Sequence, residues 1–314
     1  MLTQPYARFV RQQCVTSVTV FDTNAYQRLP SGSLDSLIDA ERRDHIVAYA
    51  DPWVAIELLG KLVDKDSRPH GRAAIKKLYY HCRGGNAPRM IVDCEDQVCQ
   101  ILLGKSPPGY AETRAAIGRV IDRVALSKDD DPLEDVMPSI VDLAEQMQSV
   151  EEDRANTVFR VIVQGVVPGA TTWDAIARDG EKKAIMLASI ESGEAFRALV
   201  ESEIRRAHDT LRVPIPEPIP EWMREALTRN FPYPFHFEVA MIRDVVAHGW
   251  ATSRKGRRNA VWDAQIAFNA GQTIKDSGTI TLITNEDLFH EVAAAIGQRG
   301  VQRLPAYLAA RGIA

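Results

Sequence analysis

Two runs of β-branched and aromatic residues stand far apart in the chain, and carboxylates follow each of them. Residues 15–21 read VTSVTVF and residues 279–283 read TITLI, and both compositions predict buried strands that end in polar turns. Asp22 follows the first run directly, and Glu286 and Asp287 follow the second. If the two strands belong to one parallel sheet, their carboxyl ends lie at the same edge, where open α/β sheets bind ligands.

The first sixty residues alternate between strand and helix patterns. Apolar positions between residues 34 and 43 are spaced as on one face of a helix, and residues 46–49 read as a second buried strand. A second helix is predicted to begin at Asp51 and Pro52, because an aspartate accepts hydrogen bonds from free amides and the φ angle of proline suits the first helical turn. This order of elements is typical of a parallel sheet.

From residue 65 the pattern changes to long helical periodicities that are interrupted by glycine and proline clusters. Residues 89–92 are the best strand candidate there. Helices are predicted over residues 126–148, 150–167, 172–211, 221–230 and 235–250. We therefore expect a discontinuous α/β domain formed by residues 1–64 and 257–314, with residues 65–256 as a mainly helical insertion or subdomain.

The α/β pattern returns near the end of the chain. Residues 259–271 have a helical pattern in which Asp263 lies near the start, on the same stripe as small apolar residues that suit packing on a sheet. The strand at 279–283 follows, then a helix from residue 288 and a final helix from Pro305. The predicted fold class is α/β, with a central parallel sheet and a large helical insertion.

Four acidic positions are predicted to meet at the carboxyl edge of this sheet. Asp22 and Glu286 follow strands, while Glu57 and Asp263 lie in early helical turns, which right-handed crossovers bring to the same edge. Carboxylates this close repel one another, and a cation would offset the cost. Oxygen ligands without His or Cys favour Mg²⁺ or Mn²⁺ over zinc. Phosphodiester hydrolysis is the reaction that most needs such a site, although a surface charge or a helix cap is the simpler explanation for any one of these residues alone.

These residues, in this order, resemble the PIN-domain family of metal-dependent nucleases. The matching segments are Phe21-Asp22-Thr23-Asn24, Glu57, Asp263-Ala264-Gln265-Ile266-Ala267 and Leu282-Ile283-Thr284-Asn285-Glu286-Asp287-Leu288-Phe289. The resemblance implies a three-layer α/β/α sandwich that binds Mg²⁺ or Mn²⁺ and cuts RNA, in some members as a toxin that is paired with an antitoxin protein.

Carried over by position, the resemblance makes Asp22, Glu57 and Asp263 the first three acidic ligands. Where the family usually has aspartate, this chain has Glu286 with Asp287 beside it, so either residue is a candidate for the fourth ligand. The resemblance also implies that two polar side chains orient the carboxylates, namely Asn24 and Thr284. The segment between Glu57 and Asp263 is far longer than in a compact member, so it is a candidate substrate cover, oligomer surface or partner site.

The net charge of the chain does not change the predicted function. A formal charge of −4 and a pI of about 6.0 argue against a strongly basic coat for nucleic acid. One basic run precedes the Asp263 helix and consists of Arg254, Lys255, Arg257 and Arg258. We interpret it either as a contact for substrate phosphates or as a solvated loop.

Four cysteines without a CxxC pair argue against a disulfide framework or structural zinc, and they favour buried thiols in a reducing compartment. No apolar run is long enough to span a membrane and no signal sequence is visible, so a cytoplasmic location is expected. Tyr233, Phe235 and Phe237 are candidates for stacking on bases, but packing in the core is the simpler interpretation.

The sequence therefore predicts a hydrolase that cuts phosphodiester bonds with Mg²⁺ or Mn²⁺, most simply an endoribonuclease that acts on single-stranded RNA. Its predicted catalytic residues are Asp22, Glu57, Asp263 and Glu286. Two alternatives stay open, a DNA-directed nuclease of the same fold and a catalytically silent module that binds protein or RNA. Homo-oligomer formation stays open as well.

Overall fold

The computed structural model describes residues 17–85, 87–249, 262–274 and 278–313. The predicted phosphate-binding run at residues 254–258 lies outside the described residues, as does Cys14.

The sheet has four parallel strands, and one short antiparallel strand completes it. The strands are β1 (Ser17–Phe21), β2 (Ile46–Tyr49), β3 (Thr273–Ile274), β4 (Gly278–Ile283) and β5 (Val301–Gln302). Their spatial order is β2-β1-β4-β5, and β3 pairs antiparallel with the start of β4. In the central pair Val20 lies beside Leu282, and Phe21 beside Ile283. The predicted α/β fold with a parallel sheet is confirmed, and the two distant strands are direct neighbours.

Helices cover both faces of the sheet. The helices nearest to the strands are α1 (Thr23–Arg28), α2 (Leu34–Arg43), α3 (Pro52–Gly60), α4 (Arg68–His81), α13 (residues 262–267), α14 (Asp287–Ala295) and α15 (Leu304–Ala309). Thr19 points to the face covered by α2, where its hydroxyl donates to Glu41. The crossover from β4 to β5 moves away from β1, so a right-handed connection places α14 on the opposite face. The arrangement is consistent with three α/β/α layers.

The helical region divides differently from the sequence prediction. Its helices are α5 (Cys94–Leu103), α6 (Tyr110–Ala125), α7 (Met137–Val158), α8 (Trp173–Arg178), α9 (Gly180–Glu191), α10 (Glu194–Thr210), α11 (Glu221–Asn230) and α12 (Pro232–His248). A π-helical segment, Phe159–Gln164, extends α7. The start of α11 and the end of α12 lie close to the predicted positions.

Two predicted helices are wrong. Residues 126–148 do not form one helix, because residues 126–136 form an ordered turn in which Arg72 donates to the carbonyls of Lys128 and Asp131. Residues 172–211 form three helices, since Asp179 caps the start of α9 and Gly193 adopts a φ of 80° before α10. The strand predicted at 89–92 is also wrong, because only an isolated bridge from Met90 to Ala50 is present.

Two hydrophobic clusters form the core, and they do not separate at residue 65. The first contains the sheet residues together with apolar side chains of α3, α4 and α6, such as Leu78 and Ile121. The second contains mainly residues of α5 and of α8 to α12. The first helices of the region predicted as an insertion thus belong to the core of the sheet.

Cys82, Cys94 and Cys99 are buried as free thiols, in agreement with the prediction for these three cysteines. Within the described ranges, no helix combines the length and the apolar character needed to cross a membrane.

Candidate functional site

Asp22 lies at the point where β1 ends, and three groups fix its position. Its amide donates to the carbonyl of Ile283 at 3.0 Å, which extends the pairing of β1 with β4 by one residue. Its carboxylate caps α1, since Oδ1 accepts from the amide of Ala25 at 2.6 Å. Oδ2 accepts from the hydroxyl of Thr284, which follows β4. Only 4% of Asp22 is exposed, so its carboxylate is held between the two central strands of the sheet.

Glu57 lies in the second turn of α3 and points towards the start of α1. Its Oε2 accepts from the hydroxyl of Thr23, the residue after Asp22. The ammonium of Lys61, one turn further along α3, lies 3.9 Å from Oε1 and offsets part of the charge. Asp22 and Thr23, the residue that orients Glu57, are therefore neighbours in the chain.

Glu286 and Asp287 follow β4 but point to different surroundings. Oε1 of Glu286 accepts from the side-chain amide of Asn24, and its backbone amide donates to Thr284 Oγ1 at 3.1 Å. Asp287 is turned outward, with 78% of its side chain exposed, and pairs with Arg303 at 2.6 Å. Of the two candidates for the fourth ligand, the structure brings Glu286 to the edge that holds Asp22 and leaves Asp287 on the surface.

Asp263 lies in α13, and a contact with the start of α3 ties this part of the chain down. The side-chain amide of Asn269, just after α13, donates to Asp51 Oδ2 at 2.6 Å. The other oxygen of Asp51 accepts from the amide of Trp53 at 2.6 Å and caps α3. Both Asp51 and Asn269 are buried. One aspartate therefore couples the helix that carries Glu57 to the segment that carries Asp263.

Burial and mutual repulsion raise the pKa values of three carboxylates at this edge, those of Asp22, Glu57 and Asp263. Burial raises the pKa of Asp22 to about 7, against hydrogen bonds from Thr284 and Ala25, and the charges of Glu286 and Glu57 raise it further. Burial also raises the pKa of Glu57, with a smaller contribution from Glu286. The pKa of Asp263 lies well above its usual range because of burial and the charges of the other three. Each of these four carboxylates interacts with the other three, and we call them the acidic edge.

The donor atoms of the acidic edge suit a hard divalent cation, because all of them are carboxylate oxygens. Among the residues that the structure describes, however, no group of three or more His, Cys, Asp or Glu side chains is arranged so that it could hold a metal ion. Asp22, Glu57 and Glu286 each direct at least one oxygen to a hydroxyl or amide of the protein. A cation would compete with these donors for the same oxygens.

Other candidates from the sequence have structural roles. Tyr233, Phe235 and Phe237 are fully buried in the core, so packing rather than base stacking is confirmed for them. Asp93 caps α5 by accepting from the amide of Glu95 at 2.9 Å. His248 lies on the surface beside Asp244.

Sequence reasoning missed four residues that position the acidic edge. Thr23 stands inside the Asp-Thr-Asn motif, so its place in the sequence was a usable signal. His290 donates from Nε2 to the carbonyl of Thr284 at 3.0 Å and fixes the turn after β4. The sequence identified Asp51 as a helix cap but not as a partner of Asn269. These two residues are 218 positions apart, so no local sequence pattern indicates their contact.

Comparison of the chain with protein-family models, curated proteins and solved structures found no match.

Proposed function

We propose that this protein is a divalent-metal-dependent nuclease with a PIN-like α/β domain, and that it cuts single-stranded RNA. One observation carries the proposal. Four carboxylates from separate parts of the chain share the carboxyl edge of a parallel sheet, and burial and mutual repulsion raise the pKa values of three of them. Lys61 offsets only part of this charge, so a cation from outside the protein would stabilise the ionised site.

Asp22, Glu57, Asp263 and Glu286 would hold Mg²⁺ or Mn²⁺. Such an ion lowers the pKa of a bound water and stabilises negative charge that develops on a phosphate. Asp22 is oriented by Thr284 and Ala25, which fix the direction of its carboxylate. Thr23 and Asn24 orient Glu57 and Glu286 from the turn that follows Asp22.

The experiment compares cleavage of a fluorescently labelled single-stranded RNA with cleavage of a DNA of the same sequence, in Mn²⁺ and in EDTA. We expect Mn²⁺-dependent cleavage of RNA that falls at least ~100-fold in Asp22→Asn and Asp263→Asn. Asp287→Asn is the matched control, because its carboxylate pairs with Arg303 on the surface. Circular dichroism establishes that each variant is folded. Equal cleavage by the wild type and Asp22→Asn would remove the proposal, and faster cleavage of DNA would change its substrate.

A second candidate is a catalytically silent module that keeps the sheet and binds protein or RNA. The hydrogen bonds from Thr23 to Glu57 and from Asn24 to Glu286 favour it, since they satisfy carboxylate oxygens without a metal. Calorimetric titration with Mn²⁺ separates the two candidates. A nuclease gives saturable binding that Asp22→Asn weakens, whereas a silent module gives no saturable heat.

A further inference from the structure

A cavity of about 220 Å³ opens beside the first turns of α3, next to the acidic edge. Its walls come from α3, α6 and α7, and we call it the Trp53 cavity. Its apolar and aromatic lining consists of Trp53, Ile56, Tyr110, Ile117, Leu143 and Val150. Polar groups from Asp93, Arg114 and Gln146 also reach it. The cavity thus combines flat apolar surface with a few hydrogen-bonding groups.

The Trp53 cavity and the acidic edge share helix α3. Trp53 precedes Glu57 by four residues on α3, so the two side chains lie on one side of that helix. The Trp53 ring also contacts that of Trp262 edge to face, with 6.4 Å between the centroids. Trp262 directly precedes Asp263 in α13. Trp53 therefore lies one helical turn from Glu57, and its ring contacts the residue next to Asp263.

The aromatic wall of the cavity is held in place before any ligand arrives. The indole Nε1 of Trp53 donates to Asp93 Oδ2 at 2.9 Å, and the hydroxyl of Tyr110 donates to Glu95. Asp93 itself is fixed as the cap of α5. A ring fixed in this way loses little conformational entropy when a planar ligand stacks on it.

We propose that the Trp53 cavity is a subsite for a nucleobase of the substrate, which deepens the proposed function and rests on it. The cavity is smaller than the roughly 300–1,000 Å³ of sites that take drug-sized ligands, so it suits a single ring system. A nucleobase has apolar faces that stack on an indole and a polar edge that hydrogen-bonds to amide or guanidinium groups. Gln146 and Arg114 supply those groups.

Binding is tested without metal, so that the result does not depend on cleavage. The probes are uridine and adenosine 5′-monophosphates in EDTA, and ribose 5-phosphate is the control that lacks a base. Calorimetry and saturation-transfer NMR are the readouts. We expect saturable binding of the nucleotides, with the largest transfer at the base protons, and much weaker binding of ribose 5-phosphate. Equal binding of ribose 5-phosphate would overturn the proposal.

Two variants locate the bound base. Trp53→Leu is expected to weaken nucleotide binding about 5-fold or more, the lower end for loss of one base–aromatic stack. Val150→Glu changes a residue at the mouth of the cavity that is 42% exposed, so it spares the core while repelling the phosphate. Val161→Glu, at a residue that is 38% exposed and outside the cavity, is its matched control. Binding that is equal in all three variants would contradict the assignment.

The binding and cleavage experiments distinguish a different ligand in the Trp53 cavity from a failure of the nuclease proposal. If phenylalanine amide binds as tightly as the nucleotides, the cavity is a pocket for a peptide side chain and the base assignment is wrong. If RNA is cleaved but nucleotides do not bind, only the subsite falls. If nucleotides bind but no RNA is cleaved under any metal, the subsite stands while the nuclease proposal falls. In an active enzyme, Trp53→Leu is expected to raise KM more than it lowers kcat.

Discussion

Two of the regions in which the protein buries carboxylates differ in how their charge is neutralised. On one face of the sheet, Glu41 accepts hydrogen bonds from His81 at 2.8 Å, Tyr307 at 2.6 Å and Thr19 at 3.2 Å. At the acidic edge, the donors to the carboxylates are mainly neutral hydroxyl and amide groups, together with the partly exposed Lys61. The first region has its own buried cation, and the second does not.

The pKa values follow this difference. Burial raises the pKa of Glu41, but the charge of His81 and the hydrogen bonds outweigh it and hold the pKa below its usual value. Burial lowers the pKa of His81, yet Glu41 raises it to about 10. Asp22, with neutral partners, has a pKa of about 7. An internal cation favours the ionised form of a buried carboxylate, whereas ionising one without it costs free energy that a ligand can recover.

The largest effect is expected when the neutralised pair is broken. Glu41→Gln leaves the imidazolium of His81 buried without its partner, so the free energy of unfolding should fall by about 3–5 kcal/mol. Urea denaturation at pH 7 measures it. Asp39→Asn is the control, because it breaks an ion pair with Arg42 in which both side chains are about three-quarters exposed, and it should have no measurable effect. An equal loss in the two variants would remove the contrast between the regions.

The next effect is a gain in the free energy of unfolding, and it depends on pH. The pKa of Asp22 is raised from 3.8 to about 7 in the folded protein, so the folded protein binds this proton more tightly than the unfolded chain does. The protonated carboxyl therefore contributes its full stability below about pH 4, and this contribution is lost as the pH rises through about 7. Asp22→Asn removes this loss and should make the metal-free protein more stable than the wild type at pH 8, by at most about 4 kcal/mol. Urea denaturation at pH 4 and pH 8 measures the difference, which should vanish at pH 4.

Metal binding at the acidic edge should restore stability that the protein loses at high pH. At 100 times its dissociation constant, Mn²⁺ should raise the free energy of unfolding at pH 8 by about 2.7 kcal/mol. Thermal denaturation with and without Mn²⁺ measures it. The stabilisation should disappear in Asp22→Asn and persist in Glu41→Gln. A gain of the same size in wild type and Asp22→Asn would show that Mn²⁺ binds elsewhere.

The smallest effect separates the two adjacent acidic residues after β4. Asp287→Asn should leave the response to Mn²⁺ unchanged, since Arg303 on the surface is its partner. Glu286→Gln should weaken Mn²⁺ binding, because its carboxylate belongs to the acidic edge. Calorimetry measures both affinities. A weaker affinity in Asp287→Asn than in Glu286→Gln would exchange the two assignments.

Local signals in the sequence predicted the elements that carry the acidic edge. The β-branched run before Asp22 forms β1, the Asp51-Pro52 pair begins α3, and the TITLI run forms β4. These signals depend on residues within a few positions of one another. Helix boundaries in the long middle region were predicted poorly, because the break between α6 and α7 depends on Arg72, more than fifty residues earlier.

The partners of the carboxylates were harder to predict than the carboxylates themselves. Thr23 meets Glu57 across 34 positions, and Thr284 meets Asp22 across 262. The first pair depends on the packing of α3 beside α1, and the second on the pairing of β1 with β4, which joins distant parts of the chain. Acidic residues at strand ends are visible in a sequence, whereas the donors that aim them become visible only in the folded chain.

The adjacency of β1 and β4 also sets an order of events during synthesis. Domains fold as units while the chain emerges from the ribosome. The nascent protein has two of its edge carboxylates, Asp22 and Glu57, long before Asp263 and Glu286 are translated. Until β4 is translated, β1 lacks its neighbour on that side of the sheet. The acidic edge is therefore complete only after Glu286 has been translated, although its first two carboxylates are made more than two hundred residues earlier.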